Sequence, residues 1–244
     1  VDPEISFQKK FRWFYTYYDF TETFPTIHAF DEVPITDYLT EEEARMWLQG
    51  NNNCFGGKSG SEVKEYLDDI ENKVEEWVNR NIFEEQYKII VQHLMNQYPE
   101  KFNRDTLLAA RNQLFKIYIK NENDLELEGK LFDDYFHTNA FSAVMEDNEA
   151  IDKDFEKAID YLDYFGINLE YRLMMPGEIL QSNSADKSGD TLIWNVNAER
   201  FAVYDYPITA RSRIANRWAF MVSVLVVLLA VVSFLVPGRK KAKK

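Results

Sequence analysis

The chain has 244 residues, with 41 Asp and Glu against 28 Lys and Arg, a net charge of −13 and an aromatic share of 15 %. That length allows one or two domains with a substantial core, and the aromatic content argues against a chain solvated throughout. The acidic balance speaks against nucleic acid as a partner, because phosphate neutralisation needs clustered Lys and Arg, and the lone cysteine, Cys54, excludes an internal disulfide.

The first element is "KKFRWFYTYYDFTETFP", Lys9 to Pro25, which has strand composition with no Gly or internal Pro. Phe11, Trp13, Tyr15 and Tyr17 alternate onto one face, while Phe14, Tyr18 and Phe20 make the other apolar as well. A strand with two apolar faces is expected to be covered on both sides, here by helices. Its functional alternative is an aromatic platform for a ligand. The segment 1–37 is therefore expected to be an aromatic β segment.

Residues 38–166 read as a helical insertion. Thr40 with Glu43 forms a capping box ahead of "EEEARMWLQ", and Gly50 is placed to end that helix. The loop "GNNNCFGGKSGS" follows. Ser59 with Glu62 makes a second capping box, and the helix after it reaches toward Gln97 with Val63, Leu67, Ile70, Val74 and Trp77 along one stripe. Near Asn79-Arg80-Asn81 the stripe changes phase and resumes as Phe83, Tyr87, Ile90 and Leu94, which predicts a bend or a break. The stripe is too short in heptads for a partner coiled coil and reads as an internal core seam. Pro99 ends this unit, and "RDTLLAARNQLFKIYIKN" supplies another amphipathic helix. One or two more are expected over Asp124 to Glu146, and a last one from about Asp152 to Phe165 with Gly166 as its stop.

From Ile167 the period switches to two. "INLEYRLMM" sets Ile167, Leu169, Tyr171, Leu173 and Met175 opposite Asn168, Glu170 and Arg172. Pro176-Gly177 turns the chain into "EILQSN", and "TLIWNV" and "AVYDYPITARSRIAN" supply further extended segments. Residues 167–217 thus predict an antiparallel β-meander whose sheet also takes in the N-terminal strand. The expected class is α+β, with the helical block inserted between the two β segments.

Residues 218–236, "WAFMVSVLVVLLAVVSFLV", carry no charge. As a helix they rise about 28 Å, close to the ~30 Å hydrocarbon thickness of a bilayer. A transmembrane helix is the expectation, with membrane lipids as the partner of the helix and of the basic tail 237–244. The predicted interface residues are Arg217 and Trp218 at one end and Arg239, Lys240, Lys241, Lys243 and Lys244 at the other. Five cations follow the span and three, Arg211, Arg213 and Arg217, precede it. The positive-inside tendency then favours a cytoplasmic tail at the cytoplasmic membrane and an extracytoplasmic body. The alternative is a tail anchor with a cytosolic body. The first residue is Val1 and not Met, with no signal peptide in view, so an N-terminal piece is expected to have been removed or to lie outside this sequence, which fits export.

"LEYRLMMPGEILQSNSADKSGDTLIWNVNAERF" followed by "YPITARSRIANRWAF" and the span resembles the membrane-anchored extracytoplasmic domains of the LppM-like type and related Bacteroidetes envelope proteins of unassigned function. Pro176, Gly177, Asn183, Gly189, Trp194, Ala210 and Ser212 carry the resemblance, over about a quarter of the chain. It implies export and a small β-rich domain beside the membrane, and brings no catalytic residues. The long helical block, and the lack of a lipid-attachment Cys near the start, depart from the pattern.

No catalytic, cofactor or metal residue is assigned. His28, His93 and His137 lie far apart, and an Asp133-Asp134-His137 cation site is weaker than a plain acidic patch. Cys54 has no adjacent base, and "CFGGKSGS" lacks phosphate-loop spacing. The expected role is a protein-binding scaffold or accessory subunit of an envelope complex with one or more protein partners. A lipid- or ligand-binding domain, or an envelope enzyme with an unrecognised site, is the alternative.

Overall fold

A computed structural model describes residues 3–50, 55, 57–120, 128–146 and 148–235. The chain forms two compact units. One is helical and comprises Thr26–Asn168 with Asn197–Tyr206; the other holds the sheets and the apolar helix and comprises Val1–Pro25, Leu169–Val196 and Pro207–Lys244.

The helical unit begins with α1 (Glu41–Gln49), started and stopped as its sequence dictates. The Thr40 side chain accepts from the Glu43 amide while the Glu43 carboxylate accepts from the Thr40 amide, and Gly50 ends the helix at φ 75°. Ser59 and Glu62 repeat this reciprocal pair ahead of α2 (Gly60–Gln97). At 38 residues α2 is about 57 Å long.

α2 corrects the expected bend or break at Asn79-Arg80-Asn81: it runs through unbroken. The stripe shifts because one rod serves two cores. Its first half buries Ile70 and Trp77 with Phe30, Leu39 and Met46. Its second half buries Phe83, Tyr87, Ile90 and Leu94 with residues of α3 (Arg104–Lys120), α4 (Gly129–Phe136), α5 (Ala140–Met145) and α6 (Glu149–Ala158). The polar residues at the changeover make tertiary bonds. Asn81 is fully buried, accepts from the Val33 amide at 2.8 Å and donates to the Val33 carbonyl at 3.2 Å. The Trp77 indole also donates to the Val33 carbonyl, at 2.7 Å. Beyond α6 the chain tightens into a 3-10 stretch, Asp160–Gly166, where one α-helix was expected.

In the sheet unit the supposed single strand Lys9–Pro25 is a hairpin of β1 (Glu4–Phe11) and β2 (Tyr15–Phe24), paired from Glu4↔Thr23 to Phe11↔Thr16. Arg12, Trp13 and Phe14 make the turn, closed by the Arg12 amide on the Tyr15 carbonyl at 2.8 Å. β1 is exposed along its whole length, so it is not covered on both faces. The remaining strands are β3 (Asn168–Met174), β4 (Glu178–Ser182), β5 (Asp186–Ser188), β6 (Thr191–Asn197) and β7 (Tyr206–Ala215). They share two sheets, ordered β1-β2-β7-β4 and β3-β6-β5, and α7 (Arg217–Leu235) follows β7. β4 and β7 thus share a sheet with the N-terminal hairpin, while β3, β5 and β6 form a second one in place of the single expected meander; the class is α+β with antiparallel pairing.

The split into two sheets occurs at Asn183-Ser184. The Asn183 amide bonds the Thr209 carbonyl beside β7, whereas the Ser184 hydroxyl bonds both the amide and the carbonyl of Ile193 on β6. Most residues carrying the family resemblance interlock here. Asn183 accepts from the buried Trp194 indole at 3.0 Å and the Thr209 amide at 2.8 Å, and donates to the Pro207 carbonyl at 2.6 Å. Ser212, fully buried, donates to the Pro176 carbonyl at 2.7 Å. Gly177 adopts φ 78° so close under Arg213 that a Cβ would collide with the Arg213 carbonyl. These side chains hold strands together.

Candidate membrane interface

α7 differs from every other helix in what it leaves uncovered. Of its 19 residues only Ala219 is buried and only Ser223 half-buried; the Val, Leu, Phe and Met side chains face outward all round. It is long and apolar enough to cross a membrane, and almost none of it is covered by the protein. A helix apolar on all sides is stable in a large core or in lipid. Here the first condition is absent.

The entry to α7 is built from the β1–β2 turn. Asn216 is the single residue between β7 and α7, and its carbonyl accepts the Ala219 amide at 2.8 Å. Its side chain serves the turn instead of its own helix. Nδ2 donates to the Arg12 carbonyl at 2.7 Å and the Trp13 carbonyl at 3.2 Å, and Oδ1 accepts the Thr16 hydroxyl at 2.9 Å. The Asn216 amide donates to the Phe14 carbonyl at 2.8 Å.

Five aromatic rings gather around that joint. Phe11 stacks on Trp218 at 6.3 Å between centroids, Trp13 meets Trp218 edge-on at 5.2 Å, and Phe14 packs on Phe220 at 4.9 Å. The Trp13 indole donates to Ser223 Oγ at 3.2 Å. Each ring still exposes between 40 % and 59 % of its surface. Arg217 and Trp218, both expected interface residues, sit together at the head of the helix and are exposed. Arg239, Lys240, Lys241, Lys243 and Lys244 lie outside the described residues. The sequence reading missed Phe11, Trp13, Phe14 and Asn216 as members of this constellation. Their signal was the aromatic run that begins at Phe11 and continues after Arg12 as Trp13-Phe14-Tyr15, and the uncharged Asn close before the span.

The helical unit carries a charged cleft of about 410 Å³, lined by Glu32, Asp37, Arg80, Glu84, Arg111 and Asn112 among others. Arg80 donates to Glu84 and, at 2.7 Å, to Asn112 Oδ1; its guanidinium lies 4.5 Å from the centre of the Phe115 ring. Arg111 stands 3.7 Å from the other Glu84 oxygen. Arg80, Glu84 and Arg111 thus each have a partner of opposite sign. Beside it, burial pushes the Glu85 carboxyl up to about 7, with Glu32 and Asp31 adding to the shift and Lys88 opposing it. Burial likewise raises Tyr38, helped by Glu76.

The histidines do not converge. His28 faces Asp31, His93 bonds Asp154 at 2.9 Å, and His137 closes α4 at φ 52°. Asp133 caps α5 by accepting the Phe141 and Ser142 amides at 2.9 and 3.0 Å, which is a structural use of the carboxylate proposed above as a weak cation site. Among the described residues no group of His, Cys, Asp or Glu could hold a metal ion. Cys54 lies outside the described residues. No family model, no curated protein and no solved structure matches the chain.

Proposed function

We propose that this is a single-pass membrane protein, moored by α7, whose folded part serves as a protein-binding scaffold or accessory subunit of an envelope complex. The observation that carries the mooring is the outward-facing apolar surface of α7 over 19 residues, which water does not tolerate and hydrocarbon does. The excess of cations after the span supports a cytoplasmic tail at the cytoplasmic membrane, with both units on the extracytoplasmic side. The resemblance to LppM-like envelope domains agrees with export.

The binding role is supported by β1. It is an eight-residue edge strand, exposed throughout, with Ile5, Phe7 and Phe11 each more than half exposed. Ile5, Phe7 and Phe11 stand here among Glu4, Lys9 and Lys10, and a partner strand would cover the open hydrogen-bonding edge. Protease protection on spheroplasts with a tag at each end tests the reading. The N-terminal tag is expected to be cut from outside while the C-terminal tag survives, and sodium carbonate should leave the protein in the membrane. Extraction by carbonate would refute the mooring; a protected N-terminal tag would refute the orientation.

A further inference from the structure

The β1–β2 turn, Arg12-Trp13-Phe14, is fixed beside α7 at a depth that the apolar run itself sets. Trp13 bonds Ser223, five residues beyond Trp218 and therefore about 7–8 Å further along the helix. A bilayer's headgroup layer is roughly 5–8 Å thick on each side of the hydrocarbon. With Trp218 at the outer edge of that layer, Trp13 lies at its inner edge; with Trp218 at the hydrocarbon boundary, Trp13 lies deeper. Holding Trp13 in water would bring Trp218 to Ser223 out as well. The described helix from Val224 to Leu235 would then supply about 18 Å, well short of the ~30 Å required.

Resting on the mooring proposed above, we propose that the β1–β2 turn is a second membrane contact, immersed in the bilayer interface beside α7. Its occupant is lipid, at headgroup and upper acyl-chain level. Two features of the turn suit that solvent. Its aromatic side chains Phe11, Trp13 and Phe14 remain 40–59 % exposed even after packing on Trp218 and Phe220, and they form a collar of the kind found at interfaces. The carbonyls of the turn are also answered from within the protein. The carbonyls of Arg12 and Trp13 accept from Asn216 Nδ2, that of Phe14 from the Asn216 amide, and that of Tyr15 from the Arg12 amide. Four consecutive turn carbonyls with internal donors are what a lipid-facing turn needs, since lipid offers none. No acidic side chain lies between Phe11 and Tyr18, and the one charge of the turn is Arg12, a side chain long enough to snorkel to phosphate level.

The test uses the full chain with Cys54→Ser, reconstituted in phosphatidylcholine–phosphatidylglycerol vesicles, and an environment-sensitive fluorophore on one new cysteine at a time. Phe14→Cys reports on the turn and Phe11→Cys provides a second site should the first disturb it. Leu228→Cys marks the centre of the span and Ser188→Cys, exposed on β5, marks water. Blue-shifted emission at Phe14 or Phe11, quenched more by a nitroxide high on the acyl chain than by one at its end, supports the inference. Quenching at Leu228 with Phe14 and Phe11 behaving like Ser188 overturns it and leaves the mooring intact. A blue shift at the turn that ignores nitroxide and grows with protein density overturns it in favour of a second copy. Failure of nitroxide to quench Leu228 sinks the mooring, and the inference with it.

Discussion

Glu84 offers a decision about the charged cleft, because a structural ion pair and a binding site respond to its removal with opposite sign. Glu84→Ala leaves the Arg80 guanidinium, whose side chain is only 11 % exposed, without its carboxylate and removes the nearer charge from Arg111. Breaking a buried pair from one side costs about 3–5 kcal/mol. Arg80 keeps Asn112 and the Phe115 ring, so the lower end, about 3 kcal/mol, is expected. At about 2–4 °C per kcal/mol for a chain of this size, the melting temperature should fall by roughly 6–12 °C. The assay is thermal unfolding of the full chain in detergent, followed by near-UV circular dichroism. Replacing both partners by apolar residues, Arg80→Met with Glu84→Leu, should recover most of the loss. A melting temperature that rises on Glu84→Ala would refute this reasoning, since strained carboxylates kept for a ligand are the ones whose loss stabilises.

Glu85 should make stability fall with rising pH. Its folded value, about 7, lies above the ordinary 4.5, so folding favours the protonated form and that contribution is lost as pH climbs from about 4.5 through 7. The undiscounted effect is about 3 kcal/mol, and remaining solvent contact reduces it to about 1–2. Glu85→Gln should therefore raise the midpoint of denaturant unfolding at pH 8 and leave it unchanged near pH 4; equal gains at both would sink the assignment. Gly177→Ala should cost about 3 kcal/mol or more through positive φ and the collision with Arg213, read as a loss of near-UV signal from the Trp194 environment with far-UV helicity retained. In the span, thirteen Leu, Val and Phe contribute roughly 4–8 kcal/mol toward insertion, and two central arginines cost about 5–7. Val227→Arg with Leu228→Arg should accordingly release the chain into the carbonate supernatant while Leu228→Arg alone stays bound.

What could be read in advance was local. Both capping boxes and the Gly50 stop depend on residues three or four apart, so their residue types suffice. The same holds for the turn at Pro176-Gly177. The β1–β2 hairpin was invisible because Arg12-Trp13-Phe14 contains none of the residues that mark tight turns; their conformation is held by Asn216, some two hundred positions away. The phase shift in α2 was visible but ambiguous, because a bent helix and a straight helix serving two cores move an apolar stripe alike. Only the bonds of Asn81 and Trp77 to Val33 separate the two. Two sheets in place of one meander had no local signal either, since alternation fixes which face a residue takes and not which strand it joins. The cleft depends on Arg80 and Glu84 of α2 meeting Arg111 and Asn112 of α3, again a long-range pairing.

Asn216 also fixes how the sheet meets α7. A chain leaving a sheet for a membrane helix through one residue is free to swivel unless something besides that residue joins the two. Here three side-chain bonds from Asn216, the indole of Trp13 on Ser223 and the ring contacts on Trp218 and Phe220 span the joint. The sheet unit therefore takes its bearing from α7. β1 has its Phe11 end against Trp218 and its Glu4 end seven residues away, about 23 Å along the strand. On the proposed mooring, the Phe11 end of that open edge is held at headgroup level beside Trp218. A partner strand that is itself tethered to the same membrane meets it in register without a three-dimensional search, whereas a soluble one must find a short edge near a surface. On the proposed mooring and binding role, a joint fixed by one asparagine would favour membrane-bound partners over soluble ones.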